Sequence, residues 1–126
     1  LKTAVINYCH NKEQKGEEYS RADVAASFQC AACDVLVERA VRAALACGCK
    51  TIAAGGGVIA NTYLREQLTR ACAENGLRAV LPEKKFCTDN AAMIAAEGLV
   101  QYRAKNFADL SLNACAHIPL GKKGKQ

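Results

Sequence analysis

Apolar positions in this chain recur at three- and four-residue steps in some stretches and run continuously in others, and the two patterns predict different elements. Lys2 to about Asn11 reads as a short helix with Val5, Ile6 and Cys9 on one face. Asn11–Glu18 is polar and interrupted by Gly16, so a surface loop is expected there. Ser20-Arg21-Ala22-Asp23 has the S-x-x-D form of a capping box and opens the longest helical signal. Val24, Phe28, Ala31, Ala32, Val35, Leu36, Ala40, Val41 and Ala44 read as its single apolar face, and Gly48 is expected to close it. Gln29 flanks that face as a candidate polar contact.

The second half of the pattern changes period. Lys50–Ala54, with Thr51-Ile52-Ala53-Ala54 at its centre, reads as a short buried strand, and Gly55, Gly56 and Gly57 follow it. A helix is expected from about Asn61, carrying Leu64, Leu68, Ala71 and Cys72 on one face and ending at Asn75-Gly76. Leu77–Leu81 is a second strand, stopped by Pro82. Strand, helix and strand with short connections make a βαβ unit, so parallel strands and a right-handed crossover are predicted. A further helix follows over Ala91–Ala96, with glycine at Gly98. Beyond Asn106 the pattern is irregular, and Asp109–Ala114 with His117–Leu120 reads as a tail strapped across the surface by its leucines.

In a parallel α/β unit, ligands gather at the carboxyl ends of the strands. That puts Gly55–Asn61 and the loop Glu83–Asn90 on one edge. Glycines there expose unpaired N–H groups to a phosphate or nucleotide, because no Cβ keeps the ligand away. The same glycines could instead serve only close packing of helix on strand. Asp89 falls where an N-cap belongs; it is also a carboxylate at the ligand edge, able to bind a cation.

Composition narrows the class. The chain has 126 residues, half of them hydrophobic, and a mean hydropathy near zero. That is one globular domain's worth, with no apolar run approaching the ~20 residues of a membrane span. It starts without Met and lacks a secretory leader, which reads as a segment from within a longer protein. Net charge is +5, partly from Lys122, Lys123 and Lys125, so residues 122–126 are expected to be a solvated, disordered basic tail. The balance is compatible with an RNA partner. Eight cysteines allow three readings. A disulfide framework would need an export signal and a core-poor sequence. A zinc site would use Cys30-x-x-Cys33 with Cys47-x-Cys49, but the first pair lies within a helical pattern and the second has the wrong spacing. Small, buried, reduced thiols in a cytoplasmic protein fit better.

Gly55-Gly56-Gly57-Val58-Ile59-Ala60 formally satisfies the dinucleotide fingerprint, and Glu83 stands where a ribose-binding acid is expected. A dinucleotide fold needs at least a third parallel strand, and only two are read here. No Walker lysine follows the glycines, which excludes a P-loop. His10 and His117 are the only histidines and neither has a carboxylate-rich context, which argues against a histidine-based triad.

The run Gly55-Gly56-Gly57-Val58-Ile59-Ala60-Asn61-x-x-Leu64-Arg65 with Cys87-Thr88-Asp89-Asn90-Ala91-Ala92-Met93-Ile94-Ala95 resembles the bacterial TsaD family, the threonylcarbamoyl transferases that modify tRNA. Leu1–Val5, Asp23–Gln29 and Asp109–Asn113 are similar to the family too. The resemblance implies an α/β chain that forms part of an actin-like, Hsp70-like nucleotide-binding fold, with residues 1–121 as the carboxyl-terminal part of its second lobe. It implies transfer of threonylcarbamoyl from threonylcarbamoyl-AMP to the amino group of the adenosine beside the anticodon. Gly55, Gly56, Gly57 and Asn61 match the nucleotide-binding loop, and Asp89 matches a ligand of an iron or zinc ion shared with a His-x-x-x-His motif. No such motif occurs here, so the fragment alone is expected to be inactive, and no catalytic residue is assigned within it. Implied partners are tRNA, an inactive paralogue and an ATPase, in the cytoplasm and with no membrane. Two other classes remain: a stand-alone dinucleotide-binding module and a zinc-binding interaction module.

Overall fold

The computed structural model describes residues 1–114, so His117–Leu120 and the basic residues 122–126 lie outside the described residues. The chain divides into two compact units, Leu1–Asp89 and Asn90–Gln126. The first holds helix α1 (Lys2–Lys15), helix α2 (Arg21–Ala46), strand β1 (Thr51–Ala53), helix α3 (Thr62–Glu74) and strand β2 (Arg78–Val80). The second holds helix α4 (Ala91–Arg103).

The α/β class follows from the βαβ unit. β1 and β2 pair in parallel with Thr51 opposite Arg78, Ile52 opposite Ala79 and Ala53 opposite Val80. Two further bonds extend the ladder, Arg78 N–H to Lys50 O at 2.9 Å and Ala54 N–H to Val80 O at 3.1 Å. Among the described residues the sheet has these two strands. β1 is therefore only half-buried, not buried as its apolar run predicts. Among the described residues no second strand pairs with its other edge.

The core lies between α2, α3 and the sheet. Cys33, Val37, Val41 and Ala44 of α2 pack with Leu64, Leu68 and Cys72 of α3, and Ile59, Leu77 and Cys87 complete the cluster. This corrects the single apolar face expected of α2. Val24, Phe28, Ala31 and Val35 lie roughly opposite the core residues at about 100° per residue. Val24, Phe28 and Ala31 line a groove with Val5 and Tyr8 of α1, while Val35 and Leu36 are about half exposed. The helix is apolar on two sides, and α3 and the sheet take only one.

Local chemistry explains the helix limits. Ser20 Oγ accepts from Asp23 N–H at 3.2 Å, the first half of the expected box. α1 runs to Lys15, four residues past its expected end, because Lys, Glu and Gln are good helix formers and polarity alone does not end a helix. The four α-helices of the described residues close with the same pair of bonds, a Schellman motif. In α1 these are Glu17 N–H to Lys12 O and Gly16 N–H to Glu13 O, with Gly16 at φ 65°. In α4 Lys105 takes the left-handed position, at φ 55°. Gly98 does not stop α4, which continues to Arg103; one interior glycine costs only about 1 kcal/mol.

The second unit has no buried residue in α4 and a ring contact between Tyr102 and Phe107 with centroids 5.8 Å apart. Leu110 and Leu112 are exposed, so the expected leucine strap is not formed by the described residues. Asp109 instead folds the chain locally, its Oδ1 accepting from Ser111 N–H at 2.8 Å and from Ser111 Oγ at 2.5 Å. These bonds hold the Asp109 carboxyl below its usual range.

The seven cysteines of the described residues are free thiols. Cys33, Cys72 and Cys87 are buried as expected, whereas Cys47 and Cys49 are exposed at the turn after α2. Burial pushes the Cys33 and Cys72 thiols up, which leaves little thiolate at neutral pH. Iodoacetamide at pH 7.5 is expected to label Cys47 and Cys49 first and to reach Cys33 and Cys72 only after denaturation. Equal labelling rates in a peptide map would contradict this burial pattern.

Candidate functional site

The parallel pairing brings the two segments after β1 and β2 to the same edge. The segment after β1 passes Gly55 and Gly56 and makes a 3₁₀ turn over Gly57–Ala60 before α3 begins. Gly56 sits at φ 91°, a conformation that excludes other residues without strain. Gly55 and Gly57 have no such constraint, and a Cβ on any of the three would meet nothing within 4 Å. Close packing of helix on strand is therefore not what the glycines serve. Among the described residues no backbone carbonyl accepts from the N–H groups of Gly55, Gly56 or Gly57. The result is a bare stretch of backbone with donors to offer.

Asn61 joins this loop to the helices. Its Oδ1 accepts from Leu64 N–H at 3.0 Å, capping α3, and its Nδ2 donates to Gln29 Oε1 at 2.9 Å. Gln29 is thus a true polar contact, tying α2 to the loop across the core edge. An amide of this kind retains one N–H and one lone pair beyond these two bonds, which an incoming group could use. Nearby, Tyr63 Oη donates to Asp34 Oδ1 at 3.3 Å. Its hydroxyl is pushed up to about 12 by the bond with Cys30, by desolvation and by Asp34. Tyr63 is thus neutral at physiological pH.

The segment after β2 carries Glu83, a 3₁₀ turn over Lys84–Phe86, buried Cys87 and then Asp89. Asp89 is not the N-cap of α4. Asn90 holds that position, with its Oδ1 accepting from Met93 N–H at 3.0 Å. Cap selection is decided by which residue takes extended backbone, and here it is Asn90, at φ −153° and ψ 149°. The Asp89 side chain is exposed, and among the described residues it has no hydrogen-bond or ion-pair partner. It is available to a cation. Among the described residues no three His, Cys, Asp or Glu side chains converge to hold a metal, the Cys30, Cys33, Cys47 and Cys49 set included. Asp89 could therefore supply one ligand of a shared set. Glu83, expected at a ribose, pairs with Lys85 Nζ at 2.8 Å instead.

Two cations tie the segments together, a feature that sequence reading missed. Arg65 of α3 donates from Nη1 to Ile59 O at 3.3 Å and from Nη2 to Pro82 O at 2.8 Å. Lys84 Nζ donates to Thr62 Oγ1 at 2.7 Å. Only the LR ending of the glycine run hints at Arg65, and nothing in the one-dimensional pattern says where its side chain goes. Of the two histidines, His10 is exposed on α1, 3.0 Å from Gln14 Nε2, and His117 lies outside the described residues.

A family model described as tRNA N6-adenosine threonylcarbamoyltransferase, TsaD, matches residues 1–96, which include both segments. Proteins of that name are similar over most of this chain. The one from Moorella thermoacetica is 48% identical over 120 residues, 95% of this chain and 35% of its own length. A Clostridium botulinum (strain 657) protein is 44% identical over 98% of this chain and 36% of its own. One from Lactobacillus delbrueckii subsp. bulgaricus is 50% identical over 90% of this chain and 34% of its own. The chain thus spans about a third of the length of the relatives it matches.

Proposed function

The chain belongs to the TsaD family of tRNA N6-adenosine threonylcarbamoyltransferases, and from that premise we propose that it is the carboxyl-terminal portion of such a transferase. On this reading residues 1–121 belong to the second lobe of an actin-like fold. Val80 on β2 and Val35 and Leu36 on α2, each about half exposed, support a larger body packed around them. The reaction moves threonylcarbamoyl from threonylcarbamoyl-AMP to the amino group of the adenosine beside the anticodon. A nitrogen–carbon bond forms, the carbon–oxygen bond to the phosphate breaks, and AMP and the amine's proton depart.

The observation that carries the reading is the bare glycine backbone beside Asn61. Gly55, Gly56 and Gly57 offer N–H groups with no Cβ in the way, and Asn61 holds an amide already fixed by two bonds. Such pre-organised donors suit the nucleotide half of the substrate. The positive charge of Lys84 at the same edge favours its phosphate. Asp89 would hold an iron or zinc ion together with histidines outside this chain, and that ion, when bound, supplies Lewis-acid polarisation of the carbamoyl carbonyl. Its carboxylate fits that duty, since none of the described residues competes for it. By itself the 126-residue chain binds metal and nucleotide weakly and does not catalyse. The partners are tRNA, an inactive paralogue and an ATPase, in the cytoplasm; among the described residues no helix is long and apolar enough to cross a membrane.

The test is complementation. The full-length protein containing this chain is expressed in bacteria depleted of their own transferase, and digested tRNA is assayed by mass spectrometry for threonylcarbamoyladenosine. Restored modified nucleoside is expected. Its absence, with the protein soluble and its pathway partners supplied, would overturn the assignment.

A further inference from the structure

We propose that Arg65 is a positioning residue that locks the glycine loop to the Asp89 loop, setting the spacing between the nucleotide donors and the metal-binding carboxylate; this rests on the transferase reading above. Its guanidinium spans the two segments. Nη1 reaches Ile59 O, two residues before Asn61, and lies 3.8 Å from Cys87 Sγ, two residues before Asp89. Nη2 reaches Pro82 O, at the start of the second segment. A planar fork with fixed donor directions can hold carbonyls from two loops at one separation; a single rotatable ammonium cannot. Cys87 Sγ also sits 3.6 Å from Glu83 O, so the buried thiol and the guanidinium brace the same turn.

The charge makes the clamp unusual. Among the described residues Arg65 has no ion-pair partner, whereas Arg70 on the same helix pairs with Glu74 at 3.9 Å. Half-buried, Arg65 spends its donors on backbone carbonyls, and those bonds have to persist for its burial to be tolerated. Both carbonyls belong to segments that carry a site residue. The lock therefore couples loops whose anchoring residues are seventeen to twenty-two positions from Arg65 on one side and six on the other.

The test compares Arg65→Lys and Arg65→Ala with the control Arg70→Ala in the full-length protein. Amide hydrogen exchange is read across residues 55–61 and 82–89, and kcat and KM for threonylcarbamoyl-AMP are measured in parallel. Both Arg65 variants are expected to speed exchange in the two segments together. Their kcat should fall about tenfold to a hundredfold, as for a small misplacement of reacting groups, with KM changed far less. Arg70→Ala leaves both readouts near wild type. Unchanged exchange in either segment overturns the lock, as does activity loss that only tracks the unfolded fraction. Exchange needs no turnover, so a wild-type protein without transferase activity would fail the functional reading and still judge the lock.

Discussion

Asp89→Ala in the full-length protein is expected to abolish threonylcarbamoylation of tRNA while leaving the fold intact. Disturbing only the support of a metal ligand costs about 10- to 100-fold, and removing the ligand should exceed that. Stability should change by no more than about 0.5 kcal/mol, because the side chain is exposed and has no partner among the described residues. The neighbouring residue supplies the contrast. Asn90→Ala removes the N-cap of α4 and should cost about 1 kcal/mol of helix stability. Mass spectrometry of tRNA nucleosides, metal content of the purified protein and amide exchange separate the two effects. Wild-type levels of modified tRNA from Asp89→Ala would remove Asp89 from the proposed metal site.

The largest stability effect is expected from Leu68→Ala. Leu68 is only 4% exposed and lies in the cluster where α3 meets α2 and the sheet. Truncating a buried leucine to alanine costs about 2–5 kcal/mol, from lost transfer energy plus the cavity left behind. Against a typical total of about 5–15 kcal/mol, that is a major fraction. Amides of α2 and α3 should exchange roughly 30-fold faster or more, as expected for about 2 kcal/mol. Leu110→Ala, at a fully exposed position, should stay within about 0.5 kcal/mol. Equal effects would mean that α3 is not held by the α2 interface. On the proposed reading the loss would reach function too, since α3 carries Arg65 and is capped by Asn61.

Local rules were readable residue by residue. Ser20 caps α2, Asn75-Gly76 ends α3, and the strands fall within the runs Lys50–Ala54 and Leu77–Leu81. Each rests on a signal confined to a few neighbouring residues: a hydroxyl within reach of an N–H, a glycine able to turn left-handed, a short apolar run. Where two neighbours offered the same signal, the pattern could not choose. Asp89 and Asn90 are both good caps, and backbone geometry gave the position to Asn90. Polar helix formers past Asn11 were likewise ambiguous, since they suit a solvated helix and a loop equally well.

The sequence alone therefore determined the α/β class, the parallel pairing and the edge where the two segments meet, because periodicity and short connections leave few alternatives. Through its resemblance to the family it also singled out the residues of the proposed site: Gly55, Gly56, Gly57 and Asn61 for the nucleotide and Asp89 for the metal. Only the tertiary structure decided which side of α2 enters the core, since apolar residues line both sides and the partner helix selects one. It also decided that Gln29 reaches Asn61, and that Arg65 spans Ile59 and Pro82. Those contacts join residues six to thirty-two positions apart through side chains whose directions are set by packing, and no local pattern records a direction.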